Sequence, residues 1–217
     1  EELALVLVLW LEDNGAPGLL VPYHHVDPLK FVKGEDTQAT HPLSAEHAAV
    51  EAGLGTLGLN QQLITPEYGP RVILGLVLTS ADIEPDSMME EVLCRGPECG
   101  RCLMACPADA VQHWDRDWEA CDKYLSPFGF EFLSDYLTNV LKEPDQANKI
   151  GMLRGMESSE IFQAMLRGSG IITGCRRCAD VCPVGDDYEE LLKKWVDEIP
   201  EETPEKLKRL EAMITEA

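Results

Sequence analysis

Eight of the 217 residues are cysteines, and six of these fall into two copies of one pattern. Cys99-x2-Cys102-x3-Cys106-Pro107 recurs as Cys175-x2-Cys178-x3-Cys182-Pro183; Cys94 precedes the first copy and Cys121 stands alone between the two. Thiolates spaced this closely can wrap one face of an iron–sulfur cube. The Cys-Pro step then turns the chain away and carries its thiolate to a neighbouring cube, the crossed arrangement of C-x2-C-x2-C-x3-C-P carriers. This chain departs from that signature in two ways: four residues separate Cys94 from Cys99, and the second copy lacks its own first Cys, so Cys121 must stand in. The crossed wiring assigns Cys94, Cys99, Cys102 and Cys182 to one [4Fe–4S] cluster. Cys106, Cys121, Cys175 and Cys178 go to a second, and all eight thiols are used.

Other chemistries explain less of the pattern. Two C-x2-C pairs would suffice for one zinc site, but Cys94, Cys106, Cys121 and Cys182 would be orphaned and two Cys-Pro steps left without a purpose. Disulfides need an oxidising compartment and would waste the repeat. A thioredoxin-like C-x-x-C accounts for one pair only. Backbone N–H groups in tight loops can point at cluster sulfurs and hold an anionic site. Burial and negative charge push the potentials of such clusters down.

The charge balance excludes other functions. With 18 basic and 39 acidic residues the net charge is −21, which disfavours binding to nucleic acid or to an anionic membrane surface. An apolar content of 45% predicts a real core. The longest apolar run, Leu3 to Leu11, is far short of the ~20 residues of a membrane span and lacks the basic flank of a signal peptide. A cytoplasmic protein is expected. The chain starts without Met and inside an apolar pattern, which predicts that an N-terminal part is missing.

The elements that must position the cysteines divide the chain three ways. Residues 1–90 read as an α/β portion, 91–185 as a cluster module with a helical insert at 122–174, and 186–217 as C-terminal helices. In the first part, Leu3 to Leu11 predicts a buried helix ending at Asn14-Gly15, and Leu19-Leu20-Val21 a strand. Residues 27–40 read as a loop. Ser44 caps a helix over about 45–52 that Gly53 stops. Leu63-Ile64 and Val72 to Leu78 read as strands around a Pro66–Pro70 turn, with Gly75 a bulge or close approach. In the insert, Ser126-Pro127 opens a helix presenting Phe128, Phe132, Tyr136 and Val140 on one face. Ile161, Phe162, Met165 and Leu166 form another apolar face, closed by Gly168. After Cys182, Leu191, Leu192, Trp195, Val196 and Ile199 line one helix, stopped by Pro200; Leu207, Leu210, Met213 and Ile214 line a second that starts at Thr203-Pro204.

Gly53-Leu54-Gly55-Thr56-Leu57-Gly58 is a literal G-x-G-x-x-G. A predicted helix precedes it and no acidic residue follows at the expected distance, so a dinucleotide site is disfavoured. A glycine-rich turn still lets backbone approach a large planar ligand. The run from Ala48 through Ala52-Gly53-Leu54-Gly55-Thr56-Leu57-Gly58-Leu59-Asn60, then Leu63 to Gly69, then Leu74-Gly75-x-Val77-Leu78-Thr79, resembles the cobalamin-dependent iron–sulfur reductases. These comprise the reductive dehalogenases and the epoxyqueuosine reductases of tRNA modification. The resemblance covers roughly 39–125 and 174–184 and includes the isolated Cys121 with Tyr124 after it.

That resemblance implies an α+β protein: a nitroreductase-like α/β portion, then a ferredoxin-like two-[4Fe–4S] module with a helical insert and helical tail. It implies low-potential electrons from a donor such as ferredoxin or flavodoxin, passed through both clusters to a bound cobalamin. It implies contact of that corrinoid with Gly53, Leu54, Gly55, Gly58 and Asn60, and reductive cleavage of a small-molecule substrate. The epoxyqueuosine enzymes place a catalytic Asp where this chain has about Ala39-Thr40; Asp36, His41 and His47 lie nearby, and no catalytic residue is assigned. The dehalogenases' Tyr and Lys/Arg proton donors have no matching positions. Cys182-Pro183-Val184-Gly185 replaces the Cys-Pro-Trp/Phe-Asn usual in the family. Three readings stand on the sequence alone: a dehalogenase-like reductase, a two-cluster electron-transfer protein without corrinoid that docks a partner enzyme, and an epoxyqueuosine reductase-like enzyme. A homodimer is one way in which the short sheet would be completed.

Overall fold

The computed structural model describes residues 2–21, 43–125, 130–166, 175–195, 199 and 201–216. The apolar N-terminal run forms helix α1 (Glu2–Asp13), ended where Asn14 Nδ2 donates to Trp10 O at 2.7 Å and Gly15 takes φ +82°. The expected helix is present, but it is not buried. Only Ala4, Val8 and Leu11 are covered, while Leu3, Val6 and Trp10 are exposed. The reason is the narrowness of what it rests on. That support is an antiparallel pair, β1 (Gly18–Val21) and β4 (Leu76–Thr79), with Gly18 opposite Thr79 and Val21 opposite Leu76.

β4 is shorter than the Val72 to Leu78 run predicts, because β1 offers only four ladder partners. Residues 72–75 lie outside the ladder. A Cβ on Gly75 would come 3.3 Å from the Ala4 Cβ, so this glycine marks the close approach of the chain to α1. The capping expectation holds: in α2 (Ala45–Glu51) the Ser44 Oγ accepts from His47 N, and Gly53 follows with φ +74°. Strands β2 (Thr56–Leu57) and β3 (Leu63–Ile64) pair antiparallel, and Leu63 and Ile64 are buried. The Pro66–Pro70 turn is confirmed by the bridge between Thr65 and Gly69.

Helices dominate thereafter. A 3-10 turn (Gly96–Glu98) leads into α3 (Arg101–Met104), followed by α4 (Trp118–Leu125), α5 (Phe130–Lys142), α6 (Gln146–Leu153), α7 (Met156–Leu166), α8 (Arg177–Asp180), α9 (Tyr188–Trp195) and α10 (Pro204–Glu216). Helices segregated from two small antiparallel sheets make this an α+β protein. One core gathers Leu59, Leu103, Met104, Ala110, Val111 and Met213 around Cys106 and Cys121. A separate one joins Tyr136, Val140 and Ile161 within α5–α7, where Tyr136 Oη lies 2.7 Å from Met152 O and 2.6 Å from Ser158 Oγ.

The expected apolar stripes are narrower than the sequence suggests. Phe162, Leu191, Leu207 and Ile214 are exposed, whereas Leu192 and Met213 are buried, as predicted. The loop at 27–40, Ser126-Pro127, Phe128, Gly168, Val196 and Pro200 lie outside the described residues, as do the side chains of Met165, Leu166 and Trp195. Among the described residues no helix is long and apolar enough to cross a membrane.

Candidate metal centre

Both Cys-Pro motifs fold alike. Each places its middle cysteine on a four-residue helix, Cys102 on α3 and Cys178 on α8, and the two helices pack together. The chain then turns at Cys106-Pro107 and Cys182-Pro183. Gly100, with φ +56°, opens α3; a Cβ there would meet the Leu210 side chain at 2.5 Å, so α10 lies directly on the Cys99–Cys102 loop.

The four cysteines of the first predicted set come together. Cys94, Cys99, Cys102 and Cys182 line one open cavity, with Leu59, Asn60 and Ile64 on its wall. Backbone N–H groups point at one of the sulfurs: Leu59 N donates to Cys94 Sγ at 3.3 Å and Gly96 N at 3.4 Å. Burial pushes the Cys102 thiol well up, and the neighbouring Cys178, Cys94, Cys99 and Cys182 sulfurs push the same way. Burial also raises Cys182, against Val184 N–H and Arg71.

Members of the second predicted set are neighbours too. Cys121 is raised by burial, opposed by Arg116 and reinforced by Cys106 and Cys175. Cys178 is raised by burial, opposed by Arg116 and Asn60 and reinforced by Cys121 and Cys106. Ala110 N donates to Cys106 Sγ at 3.2 Å. Thiols held neutral by burial must lose their protons to ligate a metal, so loading here would release protons. Among the described residues no group of three or more His, Cys, Asp or Glu side chains is placed to hold a metal ion.

Three cations were invisible as site residues in the sequence. Arg116, 9% exposed, places Nη2 2.8 Å from Cys121 Sγ and Nη1 3.3 Å from Asn60 O. Arg71 donates to the carbonyls of Ala179, Cys182 and Val184 at 3.1, 3.0 and 2.8 Å while its guanidinium lies on the Tyr188 ring. Lys206 Nζ donates to Met104 O, Cys106 O and Glu201 O at 2.9, 2.6 and 3.0 Å. Arg71 and Lys206 thus hold the carbonyls of the two crossing cysteines, one in each motif. In a chain of charge −21, these cations gather at the sulfur sites. No local spacing announces that; it is produced by contacts between residues 100 or more apart, Arg116 excepted.

The donor set suits anionic clusters: eight thiols in two neighbouring groups, N–H groups aimed at sulfur, and a guanidinium on a buried thiol. The residues named for a corrinoid suit it less. A Cβ on Gly53 would fall 2.3 Å from Ser87 O, on Gly55 2.0 Å from Ile64 O, and on Gly58 2.7 Å from Asn60 Oδ1. The bare faces of these glycines are covered by the chain itself. Asn60 is buried beside Cys178, and Leu54 alone of the five is exposed. No open cradle is formed by this turn, which instead braces the cysteines. His47 is exposed, its Nδ1 2.9 Å from Ser44 Oγ, and Asp36 and His41 lie outside the described residues.

Relatives of this chain are reductases. An epoxyqueuosine reductase of Synechococcus is 30% identical over 142 residues, covering 65% of this chain and 34% of that protein. One from Listeria monocytogenes is 37% identical over 86 residues, 40% of this chain and 22% of the relative. A tetrachloroethene reductive dehalogenase of Desulfitobacterium hafniense is 39% identical over 83 residues, 37% of this chain and 14% of the relative. The chain is a distant homologue of both kinds of enzyme, the two kinds its motifs resemble, and spans about a third or less of the length of these curated relatives. No family model matches the chain, and no solved structure does.

Proposed function

We propose that this chain is the electron-relay portion of an iron–sulfur oxidoreductase. Cys94, Cys99, Cys102 and Cys182 would hold one [4Fe–4S] cluster, and Cys106, Cys121, Cys175 and Cys178 another. The observation that carries this is the cavity that brings Cys182 of one motif to Cys94, Cys99 and Cys102 of the other. A crossed repeat requires that partnership; an uncrossed zinc or thioredoxin-like motif does not. When bound, the clusters would supply one-electron storage and transfer. The protein's own part is to exclude water from the buried sulfurs, aim the N–H groups of Leu59, Gly96 and Ala110 at them, and hold the two Cys-Pro turns through Arg71 and Lys206.

The relatives' names support a reductase of the epoxyqueuosine or reductive dehalogenase type; the low-potential donor is what the resemblance implies. The charge of −21 favours a small substrate over a polyanion. A corrinoid reading rests on the resemblance, since the glycine turn is occupied by the chain's own packing, and no step is derived through that cofactor. Anaerobic reconstitution tests the proposal. About eight iron and eight acid-labile sulfide per chain are expected; about one zinc with negligible sulfide overturns it. Cobalamin added to the loaded protein and followed by gel filtration separates the corrinoid enzyme, which retains the corrinoid absorption, from the plain relay, which does not.

A further inference from the structure

The buried guanidinium of Arg116 sits on one cysteine set only, and we infer that it raises the reduction potential of the cluster held by Cys106, Cys121, Cys175 and Cys178. The inference rests on the two-cluster reading above and goes beyond it, because it makes the two clusters electrically unequal.

Hydrogen bonds to cluster sulfurs and local net charge are among the main determinants of such potentials. On the first set, the hydrogen bonds to sulfur among the described residues come from the neutral backbone N–H groups of Leu59, Gly96 and Val184. The second set has the equivalent neutral bond, Ala110 N to Cys106 Sγ, and in addition Arg116 Nη2 at 2.8 Å from Cys121 Sγ. A guanidinium is permanently charged, and a charge-assisted bond is roughly twice as strong as a neutral one.

The environment of Arg116 keeps its charge directed at the sulfurs. It is buried between Asn60 O and the Trp118 ring, 4.7 Å away. Its Nε has no hydrogen-bond partner among the described residues, and no carboxylate there lies within salt-bridge distance of the guanidinium. The arginines near the first set are differently engaged. Arg95 is exposed and paired with Glu189 at 2.9 Å, Arg71 acts on Cys182 only through its charge while donating to three carbonyl oxygens, and Arg101 lines the cavity; among the described residues none of the three makes a hydrogen bond to a cysteine sulfur of the first set. Adding one electron to a cluster makes it more negative by one charge. An unneutralised cation in contact with a ligand sulfur stabilises that state, most strongly where water is excluded. Arg116 is therefore a positioning and tuning residue rather than a ligand.

The test is a redox titration of the reconstituted protein with dithionite and mediators, following the paramagnetic signals of the reduced clusters. Cys121→Ser identifies which signal belongs to the second set. Arg116→Gln should lower that midpoint and leave the other in place; Arg116→Lys, which keeps the charge, should move it less. Unmoved midpoints, or an equal shift of both, overturn the inference while leaving the two-cluster reading intact. If neither variant retains the second cluster, Arg116 is a structural brace and the tuning role falls. If the unaltered protein yields no iron–sulfur signal, the underlying reading fails instead.

Discussion

At the residue scale, the glycine turn shows what bare backbone faces are used for within this chain. Gly53, Gly55 and Gly58 leave room for carbonyls and side chains of this chain, and this packing carries Leu59 and Asn60 to the cysteines. The substitution Gly55→Ala forces a Cβ to 2.0 Å from Ile64 O, a backbone atom with little freedom to move. It should cost about 1–3 kcal/mol or more in urea unfolding, the range of overpacking. Gly151→Ala is the contrast. Gly151 lies in α6 with nothing within 4 Å of its added Cβ, so that change should stabilise by roughly 0.5–1 kcal/mol. Equal effects at the two sites would contradict the packing account. The cysteine spacing was legible because ligation by short loops is a local property of the chain. The cations were not, because Arg71 and Lys206 become site residues only through contacts more than 90 positions away.

At the element scale, α10 is fastened over the first motif by one buried amine and by ion pairs at its start and middle. Arg209 pairs with Asp109, Nη1 to Oδ2 at 2.6 Å, and just before the helix Glu201 pairs with Arg177 on α8. Arg209 and Arg177 hold the carboxyls of Asp109 and Glu201 below their usual range. A depressed carboxylate contributes stability above its unfolded pKa, about 3.9 for Asp and 4.3 for Glu, and loses it as pH falls through the folded value. The denaturation midpoint should therefore fall as the solution is acidified below about pH 4.3, by no more than about 1 kcal/mol per pair, since both pairs are partly exposed. In Asp109→Asn/Glu201→Gln that part of the pH dependence should be flattened; an unchanged acid slope would show that these pairs do not fasten the helix. Lys206 holds α10 through three carbonyls rather than carboxylates, so acid should loosen α10 without releasing it. The sequence predicted this helix and its Met213 contact from periodicity. It could not show that a lysine on the same helix would be buried, because the carbonyls that satisfy it belong to a distant turn.

At the scale of the whole molecule, the proposed crossed wiring would leave neither cysteine set completed by one stretch of chain: Cys182 would close the set begun at Cys94, and Cys106 with Cys121 the set of Cys175 and Cys178. The α3–α8 contact lies between these two closures. Metal binding that exists only in the folded state is folding free energy, so iron and sulfide should stabilise both motifs together. The insert is a different case: Tyr136, Val140 and Ile161 make their own small core, apart from that around Leu103 and Cys121. Removing iron with a chelator and a mild oxidant under nitrogen should therefore speed amide exchange in α3 and α8 together, with little change in α5–α7. If stripping unfastens α5–α7 first, or frees one motif while the other keeps its protection, the two sets are not cross-linked as the repeat demands. The same contrast explains why the cysteine pattern was legible and the shape of the first portion was not. The cysteine pattern is written in local spacing, whereas β1 and β4 pair Leu20 with Val77, 57 positions on in sequence, with α1 packed on both.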